Sequence, residues 1–288
     1  TMTDFEDLWY SSADGLRLYA RDYPCRGELP AGPPILCMHG LTRNSADFAG
    51  LAEYLSARYR VIAVDQRGRG RSDYDPVTAH YTPATYIQDM FTLLDRLELQ
   101  KAILIGTSMG GLMSLLMSAA QPGRVAGMVI NDIGPEIDPR GLVRIQGYVG
   151  HSAPVTTWEE AVAQQRAING IAFPDFTDAQ WQTFTRGVYR DEGGRPVLAY
   201  DPAIAGPMAD EESGAVPPDL WPVFEAVTAL PMLVVRGAAS DILAPDCVNG
   251  MRRRKPDLQV AEIPRRGHAP TLDEPESISA IDSFLASL

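Results

Sequence analysis

The sequence predicts an α/β fold in which a mostly parallel central sheet is flanked by helices. Short apolar runs recur along the 288 residues, and each ends in Gly, Asp or Pro, as buried parallel strands do. Segments with helical periodicity lie between these runs. Because 45% of the residues are hydrophobic, the chain can bury the core that such a sheet requires.

The strands are predicted in chain order, beginning with an N-terminal hairpin. The runs DLWYSS (7–12) and LRLYARDY (16–23) lie on either side of the turn ADG and form its two arms. The later apolar runs are short and end in residues that suit a strand leaving a sheet, so they are predicted as buried parallel strands. These runs are PILCMHG, RVIAVD, KAILIG, VAGMVIND, PMLVVRG and LQVAEIP.

The clearest helix is TPATYIQDMFTLLDRLE, between the second and third parallel strands. Thr82 precedes a proline suited to the first turn and can cap the helix. Its apolar side chains recur at helical spacing and predict one buried face, formed by Tyr86, Met90, Leu94 and Leu97.

The alternation of strands and helices stops after Asp132. From residue 134 to residue 228 the chain carries aromatic-rich helical pieces separated by Pro and Gly, without a convincing strand pattern. We therefore predict a first core part at 1–133, a mostly helical insertion at 134–228 and a second core part at 229–288.

Composition narrows the range of partners. The 37 acidic and 25 basic residues give a net charge of -12, which repels nucleic acid and anionic membrane surfaces. Three widely spaced cysteines, Cys25, Cys37 and Cys247, do not form a disulfide framework or a metal motif. With no signal peptide or membrane span visible, we expect a cytoplasmic protein that acts on a small molecule without a cofactor or metal.

A nucleophilic serine is indicated by GTSMG, in which Ser108 stands between Gly106 and Gly110. The strand run KAILI precedes it and a helical run follows, which is the setting that a G-x-S-x-G nucleophile requires. Side chains at both glycine positions are expected to collide with neighbouring backbone. A phosphate-binding turn is the alternative interpretation, but the lysine of a P-loop is missing.

A serine nucleophile needs a base, and the chain contains four histidines. His268 follows the last strand run, where a loop returns to the sheet edge that carries Ser108, and we predict that it is the base. His39 is expected to shape a turn, and His80 to lie in a loop without a catalytic context. His151 lies in the insertion, either at the surface or in contact with substrate.

The acid that orients the base has two candidates. Asp241 follows the strand MLVVRG and gives the chain order Ser, Asp, His, so it is preferred. Asp132, at the end of VAGMVIND, is the rival and is otherwise expected to hydrogen bond local backbone.

The chain resembles the α/β-hydrolase family through HGLTRNSADF, DQRGRGRSD, GTSMGG, RGAASD and RGHAPTLDEPE, in family order. The resemblance runs almost end to end and implies the α/β-hydrolase fold, with the insertion as the family's cap. It also implies Ser108 as nucleophile, His268 as base and Asp241 as acid, with the backbone N–H groups of Met109 and Leu41 forming the oxyanion hole. A serine at position 108 departs from the family's dehalogenases and epoxide hydrolases, which use aspartate.

These residues predict a cofactor-free serine hydrolase that forms an acyl-enzyme intermediate from a small to medium carboxylic ester or lactone. Hydrolysis of C–C bonds, acyl transfer and perhydrolysis use the same residues and stay open, as does a ligand-binding protein with little turnover. The insertion's aromatic residues predict apolar pocket walls, although each could belong to the insertion's own core. They include Trp158, Phe173, Trp181 and Phe184.

Overall fold

A computed structural model of the chain describes residues 4–209 and 219–288. The strands in this part are β1 (Glu6–Ser11), β2 (Arg17–Tyr23), β3 (Ile35–Met38), β4 (Val61–Asp65), β5 (Ala102–Thr107), β6 (Val125–Asn131), β7 (Tyr189–Glu192), β8 (Arg195–Leu198), β9 (Met232–Gly237) and β10 (Gln259–Ile263). Eight of them form one sheet in the order β1-β2-β4-β3-β5-β6-β9-β10. Within it only β2 runs against its neighbours, so the predicted, mostly parallel sheet is confirmed.

Ten α-helices lie in the described ranges. They are α1 (Ala49–Leu55), α2 (Pro83–Arg96), α3 (Met109–Ala120), α4 (Pro139–Tyr148), α5 (Trp158–Asn169), α6 (Asp178–Val188), α7 (Gly206–Ala209), α8 (Trp221–Ala226), α9 (Pro245–Arg254) and α10 (Pro275–Ala286). None of the helices in the described ranges has the length and apolar character needed to cross a bilayer.

Strand β3 shows how the core divides into two layers. Leu36 and Met38 pack in the apolar cluster that contains side chains of α2, α3 and α9. Ile35 and Cys37 point the other way, into the cluster that contains side chains of α1 and α10. Successive side chains of a strand alternate between its faces, so an all-apolar run is required where both faces are covered.

Helix α2 follows its predicted pattern with one difference. Tyr86, Met90 and Leu94 are buried as expected, and Leu97 is half-buried beside the same cluster. Thr82 stands at the N-cap position, but its side chain makes no capping hydrogen bond with the helix backbone. Its hydroxyl lies 3.3 Å from that of Thr85 instead.

The chain between β6 and β9, called here the β6–β9 segment, contains α4 to α8 and also a hairpin that was not predicted. Strands β7 and β8 pair antiparallel around Gly193 and Gly194, which have φ values of 64° and 87°. Few apolar residues mark these strands because β7 is largely exposed, and the Gly-Gly turn was the signal that could have identified them. Residues 210–218 of the predicted insertion lie outside the described residues.

Helix α8 belongs by its packing to the sheet's own flank. Its Phe224 is fully buried in the same cluster as Met113 and Leu115 of α3. The predicted insertion, which ends at residue 228, therefore includes a helix that packs against α3 on one face of the sheet. The division into 1–133, 134–228 and 229–288 stays a prediction.

The turn from β5 into α3 brings backbone segments unusually close together. A Cβ at Gly110 would lie 2.0 Å from the carbonyl oxygen of Met38, and one at Gly106 would lie 2.1 Å from the carbonyl oxygen of Gly110. Backbone atoms cannot move aside as a flexible side chain can. The glycines are therefore required by contact with β3 and α3, as the sequence predicted.

Gly110→Ala is expected to destabilise the protein by about 3 kcal/mol or more, because the added methyl group would push α3 away from β3. Gly147→Ala in α4 is the matched control, since a Cβ there meets nothing within 4 Å. That change is expected to stabilise by about 0.5–1 kcal/mol. Urea unfolding of both variants measures the difference, and a wild-type midpoint for Gly110→Ala would contradict the steric argument.

Candidate active site

Three side chains meet at the carboxyl edge of the sheet. Ser108 lies between β5 and α3, Asp132 follows β6, and His268 lies in the loop between β10 and α10. Ser108 has φ 53° and ψ -113°, a strained conformation that non-glycine residues rarely adopt. The sharp turn holds its hydroxyl at the start of α3.

A continuous hydrogen-bond chain joins these residues. His268 Nδ1 donates to Asp132 Oδ2 at 2.7 Å, and Ser108 Oγ lies 2.9 Å from His268 Nε2. Because a carboxylate can only accept, the proton of the neutral imidazole resides on Nδ1 and leaves Nε2 free to accept the serine proton. The side chain of Asp132 is fully buried, and that of His268 is 10% exposed.

The end of β9 and the loop that follows it fix the carboxylate of Asp132. Its Oδ1 accepts a 2.7 Å hydrogen bond from the backbone N–H of Gly237, and its Oδ2 accepts one of 2.6 Å from Ser240 Oγ. Ser240 Oγ in turn accepts from the backbone N–H of Leu243 at 3.0 Å. These contacts leave the carboxylate a single orientation, toward His268.

Asp241, predicted as the orienting acid, does not contact His268. Its carboxylate accepts hydrogen bonds of 2.6 and 3.0 Å from Arg144 of α4, and its backbone carbonyl accepts one from Gly141 at 3.0 Å. Burial raises the pKa of Asp241, but the hydrogen bond and charge of Arg144 outweigh it and the net pKa is lowered.

The choice of Asp132 over Asp241 as the hydrogen-bond partner of His268 has a physical cause. Asp132 follows β6 immediately and has a φ of 58°, which turns its side chain toward the loop after β10. Asp241 stands further out, in a loop that α4 covers. One sequence signal could have favoured Asp132: it directly follows β6, which is buried and pairs with β5, the strand that precedes Ser108. No sequence signal identified Ser240 as a hydrogen-bond donor to Asp132.

Leu41 and Met109 are the residues whose N–H groups were predicted to form the oxyanion hole. Leu41 is in the loop after β3 and lines a cavity together with Ser108, and Met109 begins α3. Neither backbone N–H donates a hydrogen bond to another residue in the described ranges. The carbonyl of Leu41 accepts one of 2.8 Å from Arg69 Nε. Both N–H groups can therefore bind an oxygen beside Ser108.

His39 has the structural role that was predicted for it. It is fully buried, its Nδ1 donates to the carbonyl of Gly40 at 2.7 Å, and its Nε2 accepts from the N–H of Gln66 at 3.0 Å. Burial lowers its pKa from 6.5 to about 4. His39 thereby joins the loops after β3 and β4.

The two other histidines lie outside this site. His80 Nδ1 is 2.9 Å from the carboxylate of Asp75, which also accepts from Arg67. His151 is exposed and does not line the cavity, so the structure favours its surface interpretation.

A cavity of about 980 Å³ separates the sheet edge from the β6–β9 segment, and Ser108 and His268 line it. Of the four aromatic residues predicted for its walls, Phe173 and Phe184 line it, whereas Trp158 and Trp181 pack within the segment. The walls are also more polar than predicted. Charged side chains contribute to them, among them Arg21, Arg43, Asp47, Asp175, Arg186, Arg265, Arg266, Asp273, Glu274 and Glu276.

Comparison with known proteins gives consistent matches over this whole arrangement. The alpha/beta hydrolase fold family matches residues 33–275. A 3-hydroxybutyrate-oligomer hydrolase from Cupriavidus necator is 36% identical over 263 residues, covering 88% of this chain and 89% of that protein. A 2-(acetamidomethylene)succinate hydrolase from Mesorhizobium japonicum is 32% identical, with 90% of each chain covered.

Solved structures agree with the sequence matches. The crystal structure of an alpha/beta hydrolase from Novosphingobium aromaticivorans is 41% identical and superposes with a TM-score of 0.91, covering 100% of both chains. The structure of E-2-(acetamidomethylene)succinate hydrolase is 27% identical with a TM-score of 0.82, covering 98% of this chain and 100% of that one.

His39 makes stability depend on pH in a defined direction. Because its folded pKa of about 4 lies below 6.5, the unfolded chain binds a proton first, and stability is lost as the pH falls from 6.5 to 4. His39→Gln removes this linkage and should flatten the fall over that range. Urea unfolding at several pH values tests it, with exposed His151→Gln as control. Parallel curves for wild type and His39→Gln would contradict the assignment.

Proposed function

Because the chain belongs to the α/β-hydrolase family, we propose that it is a serine hydrolase that cleaves a small to medium carboxylic ester through an acyl enzyme. One observation carries the proposal: the hydrogen-bond chain from Asp132 through His268 to Ser108 at the wall of a cavity. The two distances, 2.7 and 2.9 Å, lie within the range needed for proton transfer.

In the proposed mechanism, Ser108 Oγ attacks the ester carbonyl while His268 Nε2 takes its proton. The carbonyl oxygen becomes an oxyanion that accepts hydrogen bonds from the N–H groups of Leu41 and Met109. The C–O bond to the alcohol then breaks, and His268 returns the proton to the departing alcohol. Water attacks the acyl enzyme by the same route and releases the carboxylic acid.

Asp132 takes the role of orienting acid in this mechanism, in place of Asp241. It holds the imidazole with Nδ1 protonated and stabilises the imidazolium that forms during attack. The hydrogen bonds from Gly237 and Ser240 keep its carboxylate aligned. Asp241 is assigned instead to attaching α4 through Arg144.

The name of a relative and the cavity beside Ser108 both support an ester substrate. The relative from C. necator carries the name of an oligomer hydrolase for 3-hydroxybutyrate, whose oligomers are linear esters. The cavity of about 980 Å³ is larger than a simple acyl group requires and combines apolar walls with charged ones. We propose that the β6–β9 segment acts as the cap that encloses such a substrate. Short 3-hydroxybutyrate oligomers are therefore the first substrates to test, followed by lactones and C–C substrates.

Ser108→Ala is expected to lower kcat on p-nitrophenyl butyrate by roughly 10⁴- to 10⁶-fold, because the nucleophile is lost while the core is unchanged. The variant should also lose labelling by a fluorophosphonate probe and keep the wild-type unfolding midpoint. A variant that retains about a tenth of the wild-type rate would overturn the serine mechanism. A wild-type protein that neither labels nor turns over any panel substrate would favour a ligand-binding protein.

Asp132→Asn should lower kcat about 10⁴-fold, because the amide favours the wrong imidazole tautomer. Asp241→Asn is the matched control and should stay within about tenfold of wild type, since it weakens only an ion pair to α4. Both variants are measured on the same ester with their unfolding midpoints. The opposite ranking would return the acid to Asp241.

A further inference from the structure

Arg69 is a fully buried arginine for which the described residues provide no counter-ion. It lies in the loop after β4 and is 0% exposed. Its guanidinium donates to neutral acceptors alone: the carbonyls of Leu41 at 2.8 Å and Arg67 at 2.9 Å, and the hydroxyl of Tyr86 at 2.7 Å. Its Nη2 also lies 3.8 Å from Met109 Sδ. A buried charge without a partner is costly and calls for an explanation.

The same loop shows how a buried arginine is otherwise neutralised. Arg67, two residues earlier and 1% exposed, forms ion pairs of 2.6–2.8 Å with the carboxylates of Asp14, Asp75 and Asp89. Arg69 has instead the ring of Tyr86, with its guanidinium carbon 4.8 Å from the ring centroid. A π face attracts a cation without cancelling its charge. The positive charge of Arg69 therefore persists inside the protein.

The guanidinium of Arg69 contacts Leu41 and Met109, the two residues whose N–H groups are proposed to bind the oxyanion. Its bond to the Leu41 carbonyl orients the loop that presents the Leu41 N–H. Burial is the main cause of the lowered pKa of the neighbouring His39, and the positive charge of Arg69 lowers that pKa further. A fixed positive charge stabilises negative charge that develops nearby.

Resting on the serine mechanism above, we propose that Arg69 is a positioning residue of the oxyanion site. Its hydrogen bond to Leu41 sets the direction of one N–H donor. Its unpaired charge stabilises the oxyanion in the transition state more than the uncharged ester in the ground state. The effect therefore falls on kcat rather than on KM.

Two substitutions separate the charge from the hydrogen bond. Arg69→Gln keeps a neutral donor and loses the charge, whereas Arg69→Lys keeps the charge. On p-nitrophenyl butyrate we expect Arg69→Gln to lower kcat about 10- to 100-fold with KM within about twofold, and Arg69→Lys to recover most of that loss. Affinity for an alkyl boronic acid, whose serine adduct is anionic and tetrahedral, should fall in parallel with kcat.

Lys255→Met is the matched control for the loss of a buried cation. Lys255 directly follows α9 and is 2% exposed; its ammonium donates to the carbonyl of Thr228 and pairs with the carboxylate of Asp257 at 3.0 Å. This variant should lose stability while keeping the wild-type kcat. A wild-type kcat for Arg69→Gln, or equal losses for the Gln and Lys variants, would overturn the role of the charge.

Folding is checked by the unfolding midpoint of each variant, and Arg69→Met replaces Arg69→Gln if the latter does not fold. If no neutral variant folds, Arg69→Lys decides: near-wild-type kcat and boronate affinity support the proposal, and a tenfold loss of either contradicts it. If the proposed serine hydrolase function itself is wrong, the result differs from a failure of the Arg69 proposal, because the wild-type protein would show no turnover and no labelling at Ser108.

Discussion

The close backbone approach at the turn after β5 is the constraint on which the site depends. With hydrogen atoms in place of side chains, Gly106 and Gly110 let α3 begin directly against β3. That contact forces Ser108 into its strained conformation and places it beside the loop that carries Leu41. Backbone strain of this kind persists only where the surrounding packing holds it in place. Here the packing of β3, β5 and α3 against one another holds it.

A buried polar network then joins loops that are distant in the chain. Asp132 receives hydrogen bonds from the end of β9, from the loop after it, and from His268 in the loop after β10. Next to it, Asn131 donates from Nδ2 to the hydroxyl of Thr107 at 3.0 Å and to the carbonyl of Pro270 at 2.8 Å. Each loop is therefore held by its neighbours, and the geometry around Ser108 is fixed without any single rigid element.

The β6–β9 segment is attached to the core on several sides of the cavity. Arg144 pairs with Asp241, the side chain of Asn44 donates to the carbonyl of Gly187 at 2.7 Å, and the N–H of Gly267 donates to Ala172 at 2.9 Å. These contacts explain why Asp241 does not touch the histidine: it has a structural partner of opposite charge.

The sequence by itself determined the sheet, its parallel strands, and the placing of Ser108 and His268 at one edge, because apolar runs and turn glycines encode local structure directly. It could not decide between Asp132 and Asp241, since both follow parallel strands and therefore reach the same edge. Only the tertiary structure shows which of the two contacts His268: the positive φ of Asp132 turns its carboxylate toward the imidazole, and Asp241 pairs with Arg144 instead. The unpaired charge of Arg69 was likewise invisible, because burial and the absence of a described counter-ion depend on contacts between residues far apart in the chain.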